Sequence, residues 1–244
     1  MNKITFAIKD PYLLANTDLH PKPISDYVPT WFNEMQVSKS KSNSFLDIID
    51  TVFNAKSCPS FIEIYKDGFV IPAPHDYFIS YDQETDNWSW KTPIRYDEFN
   101  IISSGDQVTV HSNDQLLNHL PNNPYKKIFK LNLPYKVITP KGVSIRQLPI
   151  PYSYNDKFDA MYGIFRSDII HEINIQIGYK TDRKELLIKQ GDPLCVYAPF
   201  KREKYNLEIT DHKSKQANII YKNISKLYSS FNKNFKNLDY YLDK

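Results

Sequence analysis

A mainly β fold is what this 244-residue sequence predicts: one β-rich core domain, 45–209, between an N-terminal arm, 1–44, and a C-terminal helical segment, 210–244. Three observations predict it. The chain holds 18 Tyr and 14 Phe, rings that fit a pleated, half-buried surface better than a helix. It holds 16 Pro against 6 Gly, a density of breaks that argues against a helical bundle. Finally, Glu172-Ile-Asn-Ile-Gln-Ile177 alternates strictly, placing Ile173, Ile175 and Ile177 on one face of a half-buried strand. At this length the domain can bury a sizeable core.

In the arm, Ile4–Ile8 reads as a short strand, after which Pro21, Pro23 and Pro29 interrupt the chain. Pro29-Thr-Trp-Phe-Asn-Glu-Met35 reads as one helical turn opened by proline, and the polar run Lys39–Ser44 as an exposed loop. In the core, Thr51–Ala55 reads as a strand and Pro59–Lys66 as a short helix closed by Asp67-Gly68. Phe69–Ala73 and Tyr77–Tyr81 read as strands around Pro74-His-Asp76. Asp82–Asn87 is an acidic turn before Trp88-Ser-Trp90, whose spacing puts both indoles on one face. Gln107–His111 is another strand, and Pro121–Pro124 a loop. Lys136–Thr139 and Val143–Leu148 flank a Pro140-Lys-Gly142 turn; Leu186–Ile188 and Leu194–Tyr197 flank Gln190-Gly-Asp-Pro193. In the last segment Ile220, Ile224, Leu227 and Phe231 recur at helical spacing with lysines between them. That pattern predicts an amphipathic helix capped by Thr210 or Asp211, its stripe covered by the chain's own sheet or by another copy.

Charge and motif content narrow the function classes. A net charge of +3, from 31 basic and 28 acidic residues, is too balanced for a nucleic-acid surface. The basic segments Lys126-Lys127 with Phe129 and Lys130, and Pro199-Phe-Lys-Arg-Glu-Lys204, read as solvated turns. Cys58 and Cys195 make neither a disulfide framework nor a zinc pair, and Cys58 reads as a buried structural thiol. No stretch approaches the ~18 apolar residues of a membrane span, and charges interrupt the apolar run at the N-terminus. The expectation is a soluble protein of a reducing cytoplasm, without membrane association. The six histidines show no ligand spacing, and no phosphate loop, nucleophile elbow or dinucleotide fingerprint is present. No metal or cofactor is expected.

Gly163-Ile-Phe-Arg-Ser-Asp-Ile-Ile-His-Glu-Ile-Asn-Ile175 resembles the third motif of the dUTPase and dCTP deaminase family. Ile188-Lys-Gln-Gly-Asp-Pro-Leu-Cys-Val196 is similar to the fourth, Gly68–Asp76 to the opening motif and Val137–Pro149 to the middle hairpin. The order holds over roughly 130 residues. The resemblance implies a β-clip fold, and trimers. It also implies lost chemistry. Where the family has an Asp that orients the attacking water and a Tyr that supports the sugar, this chain has Arg166 and Ile169. A guanidinium stays protonated and is no general base. The phosphate-holding Arg-Ser-Gly motif is absent between Leu148 and Gly163, and Val196 stands at the fourth motif's glutamine.

A second resemblance covers most of the chain. Pro29-Thr-Trp-Phe32, Cys58-Pro59 with Gly68-Phe69, Thr139-Pro-Lys-Gly142, Gly191-Asp192 and Pro199-Phe-Lys-Arg202 follow the series found in uncharacterised proteins of marine tailed phages. It implies a phage origin, in the host cytoplasm or the virion, and brings no activity. Three functional readings stand: a non-enzymatic binding or structural protein with a phage or host protein partner; a nucleotide-binding protein with Arg166 facing a phosphate; and an enzyme using Asp168, Glu172 or His171. The ligand-binding candidates are Arg166, Asp168, His171, Glu172 and Asp192, and no residue is assigned a catalytic role.

Overall fold

The computed structural model describes residues 3–35, 55, 59–92, 107–153, 155–180 and 182–209. The predicted Lys39–Ser44 loop, residues 51–54 of the first core strand, Cys58 and the amphipathic stripe beyond residue 209 lie outside them. The chain divides into a unit spanning Met1–Arg202 and a second spanning Glu203–Lys244. In the second, residues 203–209 carry no regular structure, and Tyr205, Leu207 and Ile209 are exposed.

The first unit is mainly β, with one domain built from three antiparallel sheets. The first sheet joins β1 (Thr5–Ile8), β7 (Lys127–Ile138), β11 (Glu172–Tyr179) and β9 (Phe158–Ala160), in that order, with β6 (Val108–Val110) also paired to β7. The second runs β10 (Gly163–Phe165), β8 (Val143–Leu148), β13 (Pro193–Lys201), β3 (Phe69–Pro72), β2 (Lys22–Pro23). The third is β12 (Glu185–Ile188), β4 (Tyr77–Asp82) and β5 (Asn87–Lys91). Three short helices, α1 (Pro11–Ala15), α2 (Thr30–Glu34) and α3 (Pro59–Ile64), are among the described elements. Among the described residues no helix is long and apolar enough to cross a membrane.

The stretch read as an arm is woven into the domain. β1 pairs with the end of β7, β2 pairs with β3, and Leu13, Leu19 and Ile24 are buried. Asp10 starts α1, its carboxylate accepting the N–H groups of Tyr12 and Leu13, a cap that satisfies donors the first turn cannot.

Period-two alternation fills the main core. Ile173, Ile175 and Ile177 turn inward from β11, as do Tyr77, Ile79 and Tyr81 from β4. Trp88 and Trp90 pack on the same core from β5. Four rings join the first and third sheets: Phe129 lies edge-on to Tyr81, Trp88 and Tyr179 at centroid distances of 6.2, 5.8 and 6.1 Å. A smaller core gathers Ile24, Phe61, Tyr65, Val70 and Val196.

The segment from Lys126 to Lys130 is not a solvated turn. It opens β7, at 12 residues the longest of the described strands, and Phe129 is fully buried. Lys127 is buried as well because the turn between β4 and β5 reaches across to it. Both Asp86 oxygens lie 2.8 Å from Lys127 Nζ, and Tyr81 donates its hydroxyl to Asp86 at 2.9 Å. Asp86 takes φ 55° to make this contact, a conformation that Asp tolerates better than most residues.

Candidate functional site

Four of the five candidates come from one stretch, and local backbone geometry decides their fate. Between β10 and β11 the chain makes a single turn in which the N–H groups of Ile169 and Ile170 donate to the Arg166 carbonyl at 2.9 and 2.8 Å. The turn leaves Arg166, Ile169 and Ile170 exposed while Ser167 is buried. Asp168 also turns inward, its side chain 5% exposed.

What Asp168 meets there is Arg202, immediately after β13. The guanidinium grips the carboxylate as a fork, Nη1 to Oδ1 at 2.9 Å and Nη2 to Oδ2 at 2.5 Å. The Gly142 N–H donates to Oδ2 at 3.0 Å. Gly142 has φ +85°, in the left-handed region that glycine enters freely, and it presents its amide to the carboxylate from the Pro140-Lys-Gly142 turn. Arg202 also donates to Ser144 Oγ at 2.6 Å and to the Val143 carbonyl at 3.3 Å. Beside it, Thr139 Oγ1 donates to the Val143 carbonyl at 2.9 Å and lies 2.8 Å from Ser167 Oγ. Three separated sequence segments, 139–144, 166–172 and 199–202, are thus tied into one buried polar knot.

Its electrostatics are those of a static pair. Arg202 first, then the Gly142 N–H, hold the Asp168 carboxyl well below the usual carboxylate range. So weak a base accepts a proton poorly at neutral pH. Planar bidentate pairs of this kind fix geometry. Pro199-Phe-Lys-Arg202 is therefore no solvated turn: Pro199, Phe200 and Lys201 continue β13 against Ile145, Ser144 and Val143.

The sign of the pH effect follows from the lowered pKa. The pair's contribution is complete above the unfolded-state value of ~3.9 and is lost as pH falls through the lower folded value. Urea unfolding of Asp168→Asn is expected to show a lower midpoint than the unmodified protein at neutral pH. In strong acid, where the native carboxylate is protonated, the difference closes. Equal midpoints at neutral pH would show the pair to be energetically silent.

The other candidates lie elsewhere or are occupied. His171 Nδ1 sits 2.9 Å from the Ser167 carbonyl and 3.2 Å from that of Val137. Two acceptors place the hydrogen on Nδ1 and make the ring a pin for the turn. Glu172 is exposed and pairs with Lys136 at 3.4 Å, beside a register shift between β11 and β7. Asp192 accepts the Lys189 N–H at 2.8 Å at the opposite end of β13 from Arg202. Nine strand residues separate them by about 30 Å. The five candidates do not converge on one site.

Sequence reasoning missed Arg202, Ser144, Ser167 and Thr139 as a unit. The signal was partial: Thr139 opens the Thr139-Pro-Lys-Gly142 turn and Arg202 closes Pro199-Phe-Lys-Arg202, but nothing in the chain announces that both reach the 166–172 turn. Cys195 is fully buried, and burial pushes its thiol well up, which suits packing and not nucleophilic attack. Among the described residues no three His, Cys, Asp or Glu side chains are grouped to hold a metal ion. No protein family matches the chain, and no curated protein matches it.

Proposed function

We propose that the chain is a non-enzymatic binding or structural protein of phage origin on a degenerate dUTPase-like fold. One observation carries the reading. The position expected to orient an attacking water is an exposed arginine, Arg166, and the carboxylate two positions on, Asp168, is held on both oxygens by Arg202 and Gly142. Neither group is disposed to activate water. The knot instead secures the turn carrying Ile169 and Ile170, exposed by 58% and 60%.

The test is turnover and binding with the same protein. Each deoxynucleoside triphosphate is incubated with the purified chain and magnesium, and products are separated by ion-exchange chromatography. The substrates are expected to return unchanged, with no shift in thermal midpoint. Protein-dependent hydrolysis or deamination would overturn the reading. A midpoint rise of about 5–10 °C, as expected near a hundredfold the dissociation constant, that vanishes in Arg166→Ala would replace it with nucleotide binding. Recovery of the chain with purified particles or with a host protein is the positive arm.

A further inference from the structure

Two strand edges border one cleft on the side of the domain away from Asp168. β12 and β13 follow one another along β4 and β3, and β8 covers the other side of β13 only from Lys201 back to Val196. Past Leu148 the chain meets Pro149 and Pro151, which have no N–H to donate, and the ladder stops. β12 therefore has β4 on one side and no described strand on the other, and β9 likewise ends the first sheet. Where β8 departs, a cleft of about 360 Å³ opens. Leu187 of β12, Phe158, Asp159 and Ala160 of β9, and Pro149 and Ile150 line it. Side chains alternate across a strand, so a cleft that touches three consecutive residues meets β9 along its edge and not over one face.

Both edges carry unbonded backbone groups. In an antiparallel pair alternate residues bond to the partner, and the residues between them direct N–H and C=O the other way. The Tyr81 N–H donates to the Lys184 carbonyl at 2.8 Å, so Leu186 and Ile188 bond to β4 and Leu187 points its groups away from it. In β9 the Lys157 carbonyl accepts from the Lys180 N–H, and the Met161 N–H donates to the Gln176 carbonyl. That phase sends Asp159 toward β11 and turns the groups of Phe158 and Ala160 outward. Asn155 Oδ1 takes the Phe158 N–H at 3.3 Å. Among the described residues the Phe158 carbonyl, and the N–H and carbonyl of both Ala160 and Leu187, have no backbone partner.

We propose that this cleft takes a short, extended, basic peptide segment of a partner protein as an added strand. A free edge binds such a segment through its backbone, and alternate side chains supply the selectivity. β9 and β12 are three and four residues long, which limits the segment to a few residues. Leu187, Pro149 and Ile150 offer it apolar contact. Charge decides its sign. Lys180 neutralises Asp159 at 2.9 Å, which leaves the Asp156 and Asp192 carboxylates against Lys157 in the lining. The surplus is negative and favours a Lys or Arg side chain. It also disfavours a second copy of this chain, because a twofold contact through the same edge would set like charges against each other. The site stands apart from the Asp168 knot and does not depend on whether the protein turns over nucleotides.

The experiment titrates the purified full chain against the fluorescent peptide acetyl-Val-Lys-Val-Lys-Val-amide, read by polarisation. Beside it run the same peptide with Glu for Lys and the same peptide N-methylated at its central valine. The lysine peptide is expected to bind, and both counterparts to bind about tenfold more weakly or worse, about 1.4 kcal/mol. Asp156→Lys should weaken the lysine peptide by a similar factor. Asp156 is exposed, so an unchanged thermal midpoint separates loss of ligand from loss of fold. Leu187→Pro removes an N–H that points away from β4, a position where an edge strand accepts proline, and should weaken binding as well. If that variant fails to fold, Asp156→Lys and the N-methylated peptide still decide. The proposal is overturned if none of the peptides binds, if N-methylation changes nothing, or if binding survives in Asp156→Lys. A mass that doubles with concentration while no peptide binds would give the edges to a second copy and overturn it too.

Discussion

Replacing Asp86 by Ala is expected to cost about 2 kcal/mol of stability, read by urea unfolding at neutral pH. Removing one member of a fully buried pair typically costs 3–5 kcal/mol, because the remaining charge is stranded away from water. Here Lys127 is stranded, its side chain 5% exposed, but Asp86 is 54% exposed, so water relieves part of the loss. The double variant Asp86→Ala with Lys127→Met is expected to recover most of it, since an apolar side chain of similar length needs no partner. The Lys127 hydrogen bond, the largest contribution, lowers the Asp86 carboxyl's pKa. The stabilisation is therefore present above the unfolded-state carboxylate pKa and fades as pH falls through the lower folded value. A double variant no better than Asp86→Ala would show that the loss comes from the turn and not from the charge.

Phe129→Ala should have the larger effect, about 4 kcal/mol or roughly 10 °C in thermal midpoint for a domain of this size. The ring is fully buried and touches Tyr81, Trp88 and Tyr179 from three different strands. Deleting it opens a void that none of the three rings can fill without leaving the others. Phe129→Leu keeps much of the volume and is expected to lose less than half as much. A loss below about 1 kcal/mol for the alanine variant would mean that the two sheets close over the gap.

How much of this was visible in the chain depends on the range of the contact involved. Alternation within a strand is local, so β11 and the shared face of Trp88 and Trp90 could be read directly. Lys126, Lys127 and Lys130 made the start of β7 look solvated, because the partner that permits burial of Lys127 lies 41 positions away. The same holds for Asp168, whose role is decided by an arginine 34 positions later. β9 and β10 escaped notice because three residues are too few to show a period, and Tyr162 and Ile164 are exposed. Spacing finds what repeats along the chain. It does not find which two charges will face each other.

The position of β13 has a mechanical consequence. It is the middle strand of its sheet, bonded to β3 on one side and β8 on the other, and the chain leaves it directly at Arg202. A pull on the following segment, directed along the strand, loads both ladders lengthwise, so their rungs share the force instead of opening one after another. The Arg202–Asp168 fork is the first link to take the strain. A load applied at residue 202 is therefore borne at the centre of a sheet and not at an edge that could peel.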